Sequence, residues 1–303
     1  MTRWGIVSTI KAPRDEVLDF AAYHIERGAH RLSLFLDAPD DDLAEVLTAH
    51  PLVDVVQCDA DWWRARGGRP AKHQVRQVRN AQYALDHAQD IDWLAHIDVD
   101  EFLWSERVIS HVLKDLPQEC LCVRVRPIEG LAGAPELFKA FHRDHAARSQ
   151  AARRLYPVFG HYLRGGFVSH IAGKLFVRTN HPGLQLKIHN VRQGEADNPG
   201  QVQLDDLDLC HVHARSWEAW RAHFTYRHDK GSYRAELKGR GTLTPHELFA
   251  GILQSDGEAG LRAFFDEVCA ATPSHVAGLE REGLLRRRDL RLRAARMRHF
   301  PAA

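Results

Sequence analysis

Cysteine is scarce in this chain: 5 among 303 residues, an odd number with no C-x-x-C pair. Scattered at Cys58, Cys120, Cys122, Cys210 and Cys269, they fit neither a disulfide framework nor a zinc cluster. "CLCVRV" reads instead as a strand with two small buried thiols on one face. Long apolar runs are missing too. No segment approaches the ~18 uninterrupted apolar residues of a spanning helix, and the opening "MTRWGIVSTIKAPRD" lacks the apolar core of a secretory signal. The expectation is a cytoplasmic protein. Charge of one sign is also lacking, because 41 Lys and Arg stand against 40 Asp and Glu for a net +1. No global field draws such a chain to nucleic acid, which is not expected as a partner, and any basic patch must be local. Internal repeats and low-complexity linkers are likewise absent.

What remains is ordinary globular material, 44% hydrophobic and 27% charged, long enough for one large α/β domain with appendages. "WGIVSTI" reads as a strand, "APRDEVLDFAAYHIERG" as a helix with Pro13 near its start and Gly28 past its end. "RLSLFLDAP", "DDDLAEVLTAH" and "LVDVVQCD" continue as strand, helix, strand. After the glycine-containing turn "ARGGRPAKHQ", Val75, Val78, Tyr83 and Leu85 recur at roughly helical spacing, and "IDWLAHIDVDEFLW" reads as the fourth strand. This alternation predicts a mainly parallel, Rossmann-like sheet flanked by helices. "GKLFVRT", "LQLKIHNV" and "LDLCHVHAR" read as short antiparallel additions, and the chain from "SWEAWRAHF" onward as helical. The expected division is a domain over 1–235 and a C-terminal helical extension over 236–303. In the latter, "LLRRRDLRLRAARMRHF" reads as a basic helix with Leu284, Leu285, Leu292 and Met297 partly on one face.

The fourth strand ends in a knot of acids, Asp98, Asp100 and Glu101. If the strand persists, Asp98 and Asp100 share a face and repel unless a cation lies between them. Carboxylate oxygens suit Mg²⁺ or Mn²⁺, whose coordination substrate phosphates commonly complete. In an open parallel sheet the ligand crevice lies beyond the carboxyl ends of the strands, which is where these acids stand.

"RQVRNAQYALDHAQDIDWLAHIDVDEFLW" resembles the central signature of glycosyltransferase family 2-like proteins of the subgroup related to family 92, whose strand ends in D-x-D-E-F. "VSTIKAPRDEVLDFAAYHIERGAHRLSLFLDAPDDD" is similar to that group's opening, and "GKLFVRT", "KIHN" and "CHVHARSWEAWRAHFTYRHDKG" to its later strands and helix start. The likeness covers about residues 4 to 235 by pattern. It implies a GT-A fold, a nucleotide-sugar donor with UDP-sugars favoured, a divalent metal (Mn²⁺ or Mg²⁺) and transfer to a hydroxyl of a glycan or lipid-linked acceptor. It also implies roles: Asp98 and Asp100 on metal and donor, His211 or His213 as a further ligand, Thr9, Lys11 and Asp37 around the base and ribose. Arg79, beside Asn80, faces the nucleotide in that reading, and Lys174 and Lys230 neutralise phosphate. The family favours inversion, which requires a base opposite the leaving group. Glu129 in "RPIEG" is the choice, with Glu101, Asp144 and His170 as alternatives. Trp62, Trp63 and Trp104 are candidates for stacking on an acceptor sugar.

Two other classes stay in view. D-x-D also serves phospho-aspartyl transfer, although such enzymes place it on their first strand. A non-catalytic reading makes the chain a degenerate nucleotide binder, or a membrane or nucleic-acid binder acting through the arginine-rich end. Peripheral contact at the inner face of a membrane through that tail accompanies the transferase reading as well.

Overall fold

The buried heptapeptide "WGIVSTI" forms strand β1 (Trp4–Ile10) in the computed structural model, which describes residues 1–229, 231, 233 and 243–301. Helix α1 (Arg14–Glu26) follows, and the chain reverses where Gly28 takes a φ of 88°, a conformation that costs glycine nothing. Next come β2 (Arg31–Leu36), α2 (Asp41–Thr48), β3 (Val53–Gln57), α3 (Ala60–Arg64), α4 (His73–Asp86), β4 (Trp93–His96) and β5 (Glu101–Trp104). Asp40 and Asp59 start α2 and α3, each side chain accepting from a first-turn backbone N–H. The remainder comprises α5 (Ile109–Lys114), β6 (Cys122–Leu131), β7 (Ala134–Lys139), α6 (His145–Leu155), β8 (Lys174–Arg178), β9 (Leu184–Leu186), β10 (Val191–Gln193) and β11 (Ala196–Asp197). Then follow β12 (Val202–His211), α7 (Trp217–Asp229), α8 (Pro245–Val268), α9 (Pro273–Arg281), β13 (Leu285–Arg287) and α10 (Leu292–His299).

Compactness divides the chain into two discontinuous units: 1–126 with 172–209 and 290–303, and 127–171 with 210–289. This is not the expected cut at 235. Strands β6 and β12 each begin in the first unit and end in the second, so no single cut separates them.

In the first unit the expected α/β, Rossmann-like arrangement is present. β1 lies between β2 and β4, parallel to both, and β3 continues parallel beyond β2. β8 then pairs antiparallel with β4, and β6 antiparallel with β8, while β12 pairs with β5 and β6. Val7, Phe35, Leu94, Cys122 and Val177 form part of one apolar cluster there. Each such large side chain contributes roughly 1.5–3 kcal/mol on burial. All five cysteines are buried thiols, as "CLCVRV" suggested for two of them.

Helix α4 buries a different face from the one predicted. Gln77, Asn80, Ala81 and Ala84 point inward, and Val75 is exposed. Small and uncharged polar side chains let the helix sit against β1, where Asn80 Nδ2 donates to Thr9 Oγ1 at 3.1 Å.

The second unit pairs the end of β6 antiparallel with β7, and β7 antiparallel with β13. Its core is aromatic, with fully buried Trp220 against Phe224, Phe249, Phe264 and Phe265. The basic tail is thus not one helix. "LRR" at 285–287 adds a strand to this unit, whereas α10 belongs to the first, where Arg296 pairs with Asp15 and Asp19 of α1, and Arg298 with Glu26. Met297 is exposed, so the proposed apolar stripe does not form.

Candidate functional site

Strand order β3-β2-β1-β4 places a topological switch between β1 and β4, since successive strands first add on one side of β1 and then on the other. Ligand crevices open at such points, beyond the carboxyl ends. Thr9 and Lys11 close β1, Asp37 follows β2, and Asp98 follows β4, so all four stand at one edge of the parallel strands.

The acid knot is a turn rather than a continuing strand. β4 stops at His96, and Glu101 N–H donates to the Asp98 carbonyl at 3.0 Å, the closure of a four-residue turn. The Glu101 carboxylate then accepts from the Asp98 N–H at 2.8 Å, fastening the turn a second time. The expectation that Asp98 and Asp100 share a strand face therefore fails, because the backbone reverses between them.

A cation does lie among these acids, and the chain supplies it. Lys174 Nζ stands 2.7 Å from Asp98 Oδ2 and 3.5 Å from Glu101 Oε2. Its position follows from sheet register: β8 pairs Phe176 with Ala95 and Val177 with Leu94, and two further residues along, Lys174 falls opposite Ile97. The lead into β8 is fixed by Gly173, at φ 76°, where a Cβ would meet the Val125 carbonyl oxygen at 2.1 Å. Arg124 and Arg126 both donate to the Ala172 carbonyl, and His189 of "KIHN" bonds the Gly173 carbonyl at 2.9 Å. Burial opposes the charge on Lys174, but Asp98 and then Glu101 outweigh it and hold the ammonium above its usual range. The remaining oxygen, Asp98 Oδ1, accepts from Gln77 Nε2 at 2.5 Å.

Two residues here escaped the sequence reading. Gln77 lies one helical turn before Asn80, and the signal was a pair of amides on the inward face of α4. His96, the last residue of β4, is 3% exposed, and neither ring nitrogen makes a well-formed hydrogen bond. Burial first, and the Lys174 charge second, lower it to about 4, against the opposing pull of Asp98 and Glu101.

A divalent cation fits this donor set. Asp98, Asp100 and Glu101 offer carboxylate oxygens, the hard ligands that Mg²⁺ and Mn²⁺ take. Asp98 and Asp100 are partly exposed, and Glu101 is buried.

Other predicted contacts are already taken up. Asp37 receives Arg76 through Nε at 2.8 Å and Nη2 at 2.7 Å, and Arg69 Nη2 at 2.8 Å. Burial opposes its charge, but His73, Arg76 and Arg69 hold the carboxyl far below the usual range. It is an arginine anchor at this edge rather than an open acceptor for a base. Thr9 is buried on Asn80, whereas Lys11 and Arg79 are exposed. Trp63 is buried core, and Trp62 is stacked among Phe35, Tyr83 and Arg66, so neither is presented to a sugar. Lys230 lies outside the described residues.

The second unit contains Glu129, His170, His211 and His213. Glu129 is 2% exposed and pairs with Lys139 Nζ at 3.1 Å. Its oxygens also accept from Val168 N–H at 3.2 Å and Ser169 N–H at 2.8 Å. Burial alone would raise its pKa, but Lys139 and the Ser169 donors hold it below the usual carboxylate range. A carboxylate so occupied and so weakly basic is a structural partner, which counts against Glu129 as the base. Asp144 caps α6 through Ala147 N–H at 2.8 Å. His211 lies between His170 and His213, with ring centroids 5.5 and 5.2 Å away, and His213 Nε2 bonds the Tyr233 hydroxyl at 2.9 Å.

No family model matches the chain, and no curated protein matches it. Among solved structures, one described as A197 from STIV is similar at 11% identity and a TM-score of 0.32, covering 70% of this chain and 86% of its own. Another, described as a mycobacterial protein, is similar at 14% identity and a TM-score of 0.38, covering 72% of this chain and 70% of its own. At such scores neither likeness bears on the site. Among the described residues no helix is long and apolar enough to cross a membrane.

Proposed function

We propose that the chain is a metal-dependent glycosyltransferase of the GT-A kind, moving a sugar, with inversion, from a nucleotide-sugar donor to the hydroxyl of a glycan or lipid-linked acceptor. The observation that supports this reading is the acid knot of Asp98, Asp100 and Glu101, which stands at the topological switch beyond the carboxyl end of β4. Asp98 and Asp100 hold Mn²⁺ or Mg²⁺ with the donor diphosphate, and a UDP-sugar is the favoured donor. When bound, the metal supplies Lewis-acid stabilisation of the departing diphosphate. Exposed Lys11, at the end of β1, is the point charge for the nucleotide. Gln77 orients the Asp98 carboxylate, and the turn closed by Glu101 holds both acids at the crevice. The base is sought among the four residues considered, Glu129, Glu101, Asp144 and His170.

The test is donor turnover. UDP-, GDP- and CMP-sugars incubated with the protein and Mn²⁺, followed by NMR, should show slow hydrolysis of one donor class. Asp98→Asn should abolish it. Folded protein that neither hydrolyses nor binds any of these donors would overturn the proposal.

One observation favours a second reading. Because Lys174 Nζ already neutralises Asp98, the chain can be a nucleotide binder that uses no metal. Nucleotide binding unaffected by chelator would select it.

A further inference from the structure

Lys174 is a committed partner rather than a spare phosphate ligand. It is 1% exposed, its ammonium spans Asp98 and Glu101, and it is delivered there by a strand whose entry is fastened by Gly173, Arg124, Arg126 and His189. One of the two carboxylates it holds, Asp98, is also one of the two assigned to the metal. Two cations cannot share Asp98 Oδ2 at contact distance without strong repulsion, which at about 4 Å and an effective dielectric of about 20 exceeds thermal energy several-fold.

We propose that Lys174 is a built-in surrogate cation which competes with the divalent metal for Asp98, so that metal binding and withdrawal of the ammonium from Asp98 are linked. The inference rests on the metal-dependent reading above. It makes Lys174 a positioning residue: it keeps the turn folded by cancelling repulsion among the acids, and it sets metal affinity low enough that metal and diphosphate enter together.

The experiment measures Mn²⁺ affinity, by electron paramagnetic resonance of free Mn²⁺, on wild type, Lys174→Met, Lys174→Arg and Asp98→Asn. Thermal melts with and without metal run in parallel. Lys174→Met should bind Mn²⁺ roughly tenfold more tightly or better. It should also melt lower than wild type in chelator and be rescued by Mn²⁺ to a larger degree than wild type. Lys174→Arg, which keeps the charge, should stay near wild-type affinity. Wild type that binds Mn²⁺ with Lys174→Met no tighter would overturn the surrogate role and leave the metal reading standing. No Mn²⁺ binding by either protein would overturn both. Should Lys174→Met fail to fold even with Mn²⁺, the wild-type Lys174 ammonium resonance decides: displacement on Mg²⁺ titration supports the proposal, and an unmoved resonance under saturating Mg²⁺ overturns it.

Discussion

Lys139 and Glu129 illustrate how residue-level accounting changes a role. Lys139 is fully buried, donates to the carbonyls of Gly166 and Val268 at 2.6 Å each, and pairs with Glu129. Removing one partner of a buried pair leaves an uncompensated charge, so Lys139→Met should lower stability by about 3–5 kcal/mol. The double variant Glu129→Gln/Lys139→Met should recover much of that loss in urea unfolding, and an additive double variant would contradict the pairing. Histidines give the pH response. His24 and His275 are buried and held neutral, lowered by burial first to about 3 and about 4. The unfolded chain takes up these protons first as pH falls below about 6.5. Their stability is therefore complete above that pH and declines below it, by at most about 1.4 kcal/mol per pH unit for each. Urea unfolding at about pH 7 and about pH 5 should show the decline, and His275→Gln should make it shallower; equal slopes would contradict the assignment.

At the scale of elements, helix α10 is a strap. Its buried Ala295 and the pairs from Arg296 and Arg298 to Asp15, Asp19 and Glu26 fasten it to α1. Arginines already answered by the chain's own acids are poor anchors for an anionic surface. Deleting 290–303 should therefore lower the melting temperature by several degrees and leave sedimentation with anionic vesicles unchanged. Vesicle binding by wild type that disappears on deletion would restore the tail as an anchor. β1, α1, β2, α2 and β3 were legible in the sequence because each follows from a local pattern of apolar run, cap or amphipathic helix, whereas the short α3 was not read. The turn at Asp98–Glu101 was not, because its closure depends on one carboxylate folding back on a backbone N–H three residues earlier. The tail's β13 was also hidden, since "LRR" becomes a strand only by pairing with Leu137–Lys139, far away in the chain.

For the whole molecule, the candidate site was half legible. The acids and their place at the strand edge could be read directly, since a parallel sheet puts its crevice there whatever the loops do. Their partners could not: Gln77 and Lys174 reach Asp98 from 21 and 76 residues away, and Arg69 and Arg76 reach Asp37 from 32 and 39. Sequence spacing carries no signal for such meetings, which sheet register and helix packing create. The same long-range contacts converted two expected ligand contacts, at Asp37 and Lys174, into internal ion pairs. The central proposal is that this edge of the sheet takes a divalent cation together with a nucleoside diphosphate. The most direct test is calorimetric titration of UDP into wild type and into Asp98→Asn/Asp100→Asn, each with Mn²⁺ and with chelator. The account predicts binding to wild type that requires Mn²⁺ and vanishes in the double variant. Binding of equal strength in all four titrations, or in none with folded protein, would contradict it.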